Sequence, residues 1–168
     1  MTTTEQALQA IRAAVVNAGG SNVRIGQSDA VRDASPYYTV LGVSDQSAGY
    51  AQVIDSDEVQ EPRLGRWLVT GYGNGTDVVL TDLAALLFVP SSSVAIAFRA
   101  AGMAPERCLP LRDLTALYRS GMEPQFALEI VAAYVRSVTF TDGDVNATQI
   151  DVDLNDGTLL VEVLEPAS

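Results

Sequence analysis

The segment from Phe126 to Phe140 constrains the fold more than any other part of the sequence. Its apolar side chains lie at every second position as far as Tyr134, and β-branched and aromatic residues follow to the end of the segment. Alternation with a period of two is typical of a strand. The alanine, leucine and glutamate content of the same segment also fits a helix. We predict a strand, with a helix as the alternative.

A β-hairpin is predicted near the C-terminus. Ile150, Val152 and Leu154 alternate with aspartates, and residues 155–157 read Asn-Asp-Gly. That tripeptide is a strong turn signal between two strands. Residues 159–164 are again rich in leucine and valine, so we expect them to form the returning strand.

An amphipathic helix is predicted at the start of the chain, over residues 4–18. Leu8, Ile11 and Val15 lie on one side of such a helix, with alanines filling the same side. The pair of glycines at residues 19–20 ends the helix, because glycine adopts the left-handed conformation that a helix stop requires.

Short strands are predicted after this helix, at residues 23–25, 37–43, 50–54 and 66–70. We expect residues 50–54 to pair with residues 37–43 across a polar turn at residues 45–49. Residues 55–61 contain four acidic side chains and are predicted to form a loop.

Two further helices are predicted in the middle of the chain. The first covers residues 78–88 and has Asp77 as its cap. The second begins after Ser91 or Ser92 and ends at Ala101.

Together these elements predict a single α+β domain over residues 1–168, with the N-terminal helix at 4–18 and the core over 22–164. We expect a mostly antiparallel or mixed sheet, flanked by two or three helices, and the C-terminal hairpin. Residues 111–121 are predicted as a short helical or irregular passage.

The residue types present restrict the chemistry. The chain has no histidine, and its ten basic residues are all arginine, against 21 acidic residues, for a net charge of −11. Imidazole bases, histidine metal ligands, Schiff-base lysines and a P-loop lysine are therefore excluded. The acidic balance also argues against binding to a nucleic-acid backbone, which needs neutralising cations. We expect a protein that is not an enzyme and uses no cofactor.

Targeting and redox signals are few. The first residues lack the basic start and apolar run of a signal peptide, and the longest apolar run, residues 83–90, is too short to cross a bilayer. Cys108 is the only cysteine, and we expect it to be reduced and half-buried.

Two motifs suggest ligand sites, and each has a simpler interpretation. Residues 71–75 hold three glycines between a strand and a helix, but their spacing differs from that of a dinucleotide-binding loop. Asp151, Asp153 and Glu162 have the spacing of calcium ligands, but Gly157 is displaced from the position that such a loop requires. A strand-to-helix turn and a hairpin account for the two motifs.

Several short sequence motifs, taken in their order along the chain, resemble those of the neck and tail-terminator proteins of long-tailed bacteriophages. The similarity extends over about residues 36–154. The motifs are Pro-Tyr-Tyr-Thr-Val at 36–40, Gly-Arg-Trp-Leu-Val-Thr-Gly-Tyr-Gly at 65–73, Leu-Arg-Asp-Leu-Thr-Ala-Leu at 111–117, and Glu-Pro at 123–124 before the strand from Phe126. The predicted helices that end before residues 102–103 fit the same order. The chain departs from the family in having Gln-Phe-Ala at residues 125–127, where an arginine-alanine pair is expected.

The resemblance implies a structural virion protein that is assembled in the host cytoplasm. It implies a ring, usually of six subunits, that caps the tail tube, docks to the head-side connector or neck protein and lets DNA pass through its lumen without specific binding. As subunit contacts we select Arg63, Arg66 and Asp113. As lumen or partner contacts we select the acidic residues of the predicted loop, which are Asp55, Asp57, Glu58 and Glu61.

Two other functions stay open at this point. One is a different adaptor of the virion, at the head-tail joint or the baseplate. The other belongs to a different class: a cytosolic ligand-binding or metal-dependent enzyme domain that uses the glycine turn or the C-terminal aspartates.

Overall fold

The computed structural model describes residues 4–26, 36–55, 58–118, 121–139, 150–153 and 160–163. Within these residues the helices are α1 Thr4–Asn17, α2 Thr76–Leu86 and α3 Ser93–Ala100. The strands are β1 Val23–Ile25, β2 Tyr37–Ser47, β3 Gln52–Asp55, β4 Glu58–Tyr72, β5 Met103–Cys108, β6 Arg112–Asp113, β7 Ala116–Tyr118, β8 Gly121–Glu123, β9 Gln125–Thr139, β10 Ile150–Asp153 and β11 Leu160–Val163. The predicted α+β class is confirmed.

Seven of these strands form one mixed sheet. Its main path runs β1-β2-β4-β9-β5, with β3 paired to β4 and β6 paired to β9. The β1–β2 pair is parallel and the other pairs are antiparallel. Strands β10 and β11 pair antiparallel, as the predicted C-terminal hairpin requires, while its turn at residues 155–157 lies outside the described residues.

Strands β4 and β9 are the centre of the sheet. They pair over 15 residues each, from Glu58 opposite Thr139 to Tyr72 opposite Gln125. The strand predicted from Phe126 is therefore confirmed and the helical alternative is wrong. The β-branched residues of this segment suit a strand that has partners on both sides, and they override the helix propensity of its alanines.

The three helices cover one face of the sheet, where the hydrophobic core lies. Ile11 of α1, Leu83 of α2 and Phe98 of α3 are fully buried in one cluster with residues of β2, β4 and β9. On the sheet side this cluster includes Trp67, whose ring lies over Gly65: a Cβ atom at residue 65 would be 2.1 Å from the indole. The tryptophan therefore packs flat along its own strand.

The pairing predicted for residues 50–54 is wrong. Strand β3 pairs with β4, with Gln52 opposite Gln60 and Val53 opposite Val59, and β2 pairs with a later part of the same strand. Strand β2 does not turn at residue 45 but continues to Ser47, because β4 supplies partners as far as Arg63. Strands β2 and β3 therefore follow one another along the same edge of β4.

The acidic loop predicted at residues 55–61 is also wrong for the residues that the structure describes. Asp55 ends β3 and lies opposite Glu58, the first residue of β4, and Glu61 lies inside β4 opposite Arg136. Asp57 is outside the described residues. The described residues of this segment belong to antiparallel strand pairs, which tolerate polar side chains because they lie beyond the core.

Of the caps predicted for the two middle helices, the one for α3 is confirmed and the one for α2 is wrong. Ser92 caps α3, since its side chain accepts a hydrogen bond from the Ala95 amide. Asp77 does not cap α2: the capping position is Gly75, in the left-handed conformation with φ of 82°. Residues 111–121 were predicted as a short helical or irregular passage, but their described part contains the short strands β6 and β7 and the start of β8, and no helix.

A candidate assembly interface

The outer ends of three strands form a ribbon that we call the arm. It consists of β3 (residues 52–55), the first part of β4 (residues 58–62) and the last part of β9 (residues 135–139). None of the side chains that the structure describes in these segments is buried. Beyond Tyr134, where the pairing with β5 ends, β9 has no partner on its second side among the described residues. The described residues of the arm therefore form a sheet without a core of their own.

Apolar side chains are unusually exposed on the arm and beside it. Val53 is 75% exposed and Ile54 is 53% exposed, and Tyr50, just before β3, is 94% exposed. Scattered apolar residues are common on protein surfaces, but apolar side chains this exposed on and beside an edge strand are typical of an interaction site. Asp55 and Glu58 are register partners where the pairing of β3 with β4 ends.

A polar cluster closes the core where the arm begins. Arg63 Nε donates to Asp45 Oδ1 over 3.0 Å, and its Nη2 donates to the Asp45 carbonyl oxygen over 3.0 Å. Its Nη1 donates to both carboxylate oxygens of Glu61 over 3.0 and 3.1 Å. Tyr134 donates to Asp45 Oδ2 over 2.7 Å. The cluster fixes β2 to β4 and β9 at the base of the arm.

The pKa values in this cluster follow from its bonds. Burial raises the pKa of Asp45, but hydrogen bonds from Arg63 and Tyr134 outweigh burial, so the pKa is lowered overall. Burial and then the bond to Asp45 raise the pKa of Tyr134. The hydrogen bond with Asp45 raises the pKa of Arg63 despite its desolvation. All three groups keep their usual charge states at neutral pH.

Arg66 lies on the opposite, helix-free face of the sheet. Its Nε donates to Glu129 Oε1 over 2.6 Å, and its Nη2 forms an ion pair with the same oxygen. The Glu129 side chain is only 9% exposed, whereas Arg66 is 44% exposed. The ion pair thus neutralises a nearly buried carboxylate and leaves one side of the guanidinium accessible to a partner.

The strand register places three more arginines on the helix-free face. Arg107 lies opposite Val131, which lies opposite Arg66 in the next strand. A second row across the sheet has an arginine at each end and connects Arg24, Thr39, Thr70, Ala127 and Arg112. Outside the arm, Glu129 is the only acidic residue that the described register places on this face. In a chain of net charge −11, the face is locally basic.

Asp113 lies apart from the arm, on the short edge strand β6. Its carboxylate Oδ1 accepts a hydrogen bond from the Thr115 amide over 2.8 Å. Bonds from the Thr115 side chain and amide lower the pKa of Asp113, which is fully exposed. This local turn leads into the bond from the Leu114 amide to the Gln125 carbonyl oxygen at 2.7 Å, which attaches the passage to β9.

The structure brings only part of the selected residues together. Glu58 and Glu61 lie on the arm, and Arg63 lies at its base. Arg66 lies further along β4, on the opposite face of the sheet, and Asp113 is on the edge strand β6. Sequence reasoning missed Arg24, Arg107 and Arg112. The signal that unites them is the register of six strands, which a single sequence does not contain.

The glycine turn before α2 has a structural explanation. The Gly73 amide donates to the Pro124 carbonyl oxygen over 2.8 Å, and Thr76 Oγ1 donates to the Gly73 carbonyl oxygen over 2.9 Å. A phosphate-binding loop would direct such amides to its ligand. Here these bonds attach the turn to the strand connection and start the helix.

The described part of the chain offers an open groove but no metal-binding cluster. This part of the chain contains no group of three or more histidine, cysteine or acidic side chains that could hold a metal ion. An open groove of about 780 Å³ lies between α1 and α3, and its charged side chains are Glu5 and Arg99. Cys108 is free and half-buried, as predicted, and burial raises its pKa to about 11. No helix in the described segments is long and apolar enough to span a bilayer.

Comparison with known proteins identifies the family. The family described as phage neck terminator protein matches residues 3–158 of the 168-residue chain. No curated protein matches the sequence. The matched family is one of structural neck proteins that interact with other head and tail proteins, and it is not a known class of enzyme. The chain therefore belongs to the phage neck terminator protein family and is a structural component of the virion.

Proposed function

We propose that the chain forms a closed ring of six subunits that caps the phage tail tube. In this function the ring sits on the last ring of tube subunits, stops further polymerisation and docks to the head-side connector. DNA passes through its lumen without specific binding. The proposal extends the family assignment, which supports a structural neck protein.

The arm is the observation that carries the proposal. A three-stranded ribbon in which none of the described side chains is buried gains little stability by itself, so its exposed apolar groups favour contact with another protein surface. A subunit that only had to be soluble would not benefit from Tyr50 at 94% exposure beside Val53 at 75%. Assembly with neighbours gives these side chains a function.

The predicted contact residues have different roles in the proposed assembly. Arg66 and Asp113 are exposed and are proposed as subunit contacts. Arg63 is proposed for the same role, although its guanidinium is 15% exposed and already bonded inside the subunit, so it acts by holding the arm in position. The acidic residues Asp55, Asp57, Glu58 and Glu61 are proposed to face the lumen or a partner, where negative charge would repel the DNA backbone.

The test is the assembly state of the purified chain, alone and with purified tail-tube protein. Mass photometry and negative-stain microscopy should show closed six-subunit rings, and tubes grown with the chain present should carry one such ring at one end. A chain that stays monomeric with and without tubes would refute the proposal.

The alternative adaptor functions predict a different position in the virion. Gold labelling of a tagged chain should mark the head-proximal end of the tail. Label at the baseplate, or on tail-less heads, would replace the terminator function with one of the other adaptors.

A further inference from the structure

An open apolar pocket lies at the β5 edge of the sheet, where α2 leads into α3. Leu87 and Ala95 line it from the core side and are only 1% and 4% exposed. Its outer walls are open: Phe88 is 48% exposed, and Pro90 and Ala104 are exposed as well. The pocket therefore has a base that belongs to the core and apolar walls that the subunit leaves uncovered.

The size and lining of this pocket favour a protein side chain as its occupant. Its volume is about 240 Å³, which is below the range of roughly 300–1,000 Å³ that is typical of sites for small molecules. Arg99 is the one charged residue among the described residues that line it, and its Nη2 donates to the Pro90 carbonyl oxygen. One aromatic ring, packed against apolar walls beside a guanidinium, fits this chemistry.

Tyr50 supplies such a ring. It lies just before β3 and is 94% exposed, more than any other large apolar side chain among the described residues. Val53 and Ile54, in the strand that follows, are also more than half exposed. Aromatic side chains that fill a pocket on the partner contribute most to the binding energy of protein interfaces. The position of Tyr50 thus suits an anchor residue for another protein surface.

The strand order places Tyr50 and the pocket at opposite edges of the sheet. Strand β3 lies on one side of β4, whereas β5 lies beyond β9 on the other side. Three strand spacings of about 4.8 Å, about 14 Å in all, separate the two edges. A tyrosine side chain is too short to span that distance, so Tyr50 cannot fill the pocket of its own subunit.

We propose that Tyr50 of each subunit inserts into this pocket on the next subunit. The occupant of the pocket is thus a second copy of this chain, and the inference rests on the proposed ring. Anchor and pocket are different surfaces at opposite edges of one subunit, so their contact is head-to-tail. Such a contact repeats from copy to copy and closes into a ring when the rotation permits.

Charge favours the same pairing of surfaces. Two copies of net charge −11 repel each other. Residues 50–61 contain four acidic residues and no basic one, whereas the charged residue that lines the pocket is Arg99. Insertion of Tyr50 therefore brings an acidic segment of one copy towards a basic group of the next. A symmetric contact between two arms would instead bring two acidic segments together.

Removal of the ring tests the anchor. Tyr50→Ala should raise the ring dissociation concentration about 30-fold, as truncation of a buried interface aromatic does. Tyr50→Phe keeps the ring and should assemble like the unaltered chain. Val78→Ala is the matched control, because it shortens a side chain on α2 that is 58% exposed and lies outside both surfaces. Mass photometry over a dilution series measures all four chains.

Filling the pocket tests its occupancy. Ala104→Phe adds a ring at an exposed position of the pocket wall and should weaken ring formation about as much as Tyr50→Ala. The two substitutions together should cost no more than the larger single loss, because both remove the same contact. Ala13→Phe makes the same change at an exposed position of α1 and should have no effect. Circular dichroism and the urea midpoint establish that each variant folds.

Cross-linking reports the contact directly. In a Cys108→Ser background, a chain with Tyr50→Cys and Ala104→Cys should give covalent oligomers up to the full ring with a short bis-maleimide. Neither substitution alone should give cross-linked chains, and a mixture of the two singly substituted chains should give dimers only. Cross-linking of the Tyr50→Cys chain to itself would show a symmetric contact between arms and would overturn the proposal.

The outcomes separate this inference from the proposed function. If the unaltered chain forms rings that Tyr50→Ala and Ala104→Phe form equally well, the insertion is refuted while the ring stands. If Tyr50→Ala forms normal rings that no longer attach to tubes, Tyr50 contacts the tail-tube protein and the insertion is refuted. If the unaltered chain stays monomeric with and without tubes, both proposals fail.

Discussion

Tyr134 donates a hydrogen bond to Asp45 Oδ2 over 2.7 Å and thereby joins β9 to β2 across the intervening β4. The tyrosine ring also contacts Trp67, with centroids 6.0 Å apart. One side chain thus belongs both to the hydrophobic core and to the polar cluster at the base of the arm. The orientation of the arm relative to the core depends on this junction.

Replacing Tyr134 with phenylalanine should lower the free energy of unfolding by about 2 kcal/mol, because a hydrogen bond to a charged acceptor is lost while the ring packing stays. Urea denaturation followed by tryptophan fluorescence measures the loss. Tyr50→Phe is the matched control, since Tyr50 is 94% exposed and should be neutral. Equal stability of the two variants would show that the bond to Asp45 contributes nothing.

The contribution of Asp45 should depend on pH. Its folded-state pKa lies below the ordinary value of 3.8, so the ionised group stabilises the fold above that pH and the contribution disappears as the pH falls through the folded value. Asp45→Asn should therefore be clearly less stable than the unaltered chain at pH 7, and the difference should shrink below pH 3.8. A difference that is constant over the whole range would contradict the lowered pKa.

Local patterns were sufficient for most elements of this fold. The stripe of α1, the cap at Ser92 and the alternation along β9 each depend on neighbours within a few residues, and each is found in the structure. The outer half of β4 was missed, because Glu-Val-Gln-Glu-Pro-Arg has no apolar face. It is a strand through its partners β3 and β9, and such long-range pairing leaves no local signal.

The candidate interface was accessible from the sequence only in part. The acidic segment was visible as a run of charge. The basic face was not visible in the sequence, because net charge is a sum over the whole chain. Only the strand register places Arg24, Arg66, Arg107 and Arg112 on one face of the sheet. The sequence therefore indicated one charged surface and missed the surface of opposite charge.

Gly65→Ala should destabilise the core by about 1–3 kcal/mol, the usual cost of overpacking. The added Cβ atom would lie 2.1 Å from the Trp67 indole, so the buried ring must move. Gly42→Ala on the neighbouring strand is the control, because nothing lies within 4 Å of its added Cβ atom. Fluorescence of the single tryptophan should shift in the first variant only. A neutral Gly65→Ala would mean that the indole is free to leave this position.

Cys108 should react slowly with iodoacetamide in the folded protein. Burial raises its pKa from 9.0 to about 11, so the reactive thiolate is about 100-fold rarer near pH 8 than for an unperturbed thiol. Alkylation followed by mass spectrometry gives the rate, and the same reaction in urea gives the unperturbed reference. Equal rates in the two conditions would show that the thiol is exposed in solution.

Arg66→Ala should lower the free energy of unfolding by about 1–2 kcal/mol, because it leaves the nearly buried Glu129 carboxylate without its partner. The partial exposure of Arg66 keeps the effect below that of a fully buried pair. In the background of Glu129→Gln the same substitution should cost much less, and the difference measures the coupling. Equal costs in both backgrounds would mean that the ion pair does not stabilise the subunit. If Arg66→Ala costs little stability in the Glu129→Gln background, a loss of ring formation on that substitution reports the contact of Arg66 with a neighbouring subunit.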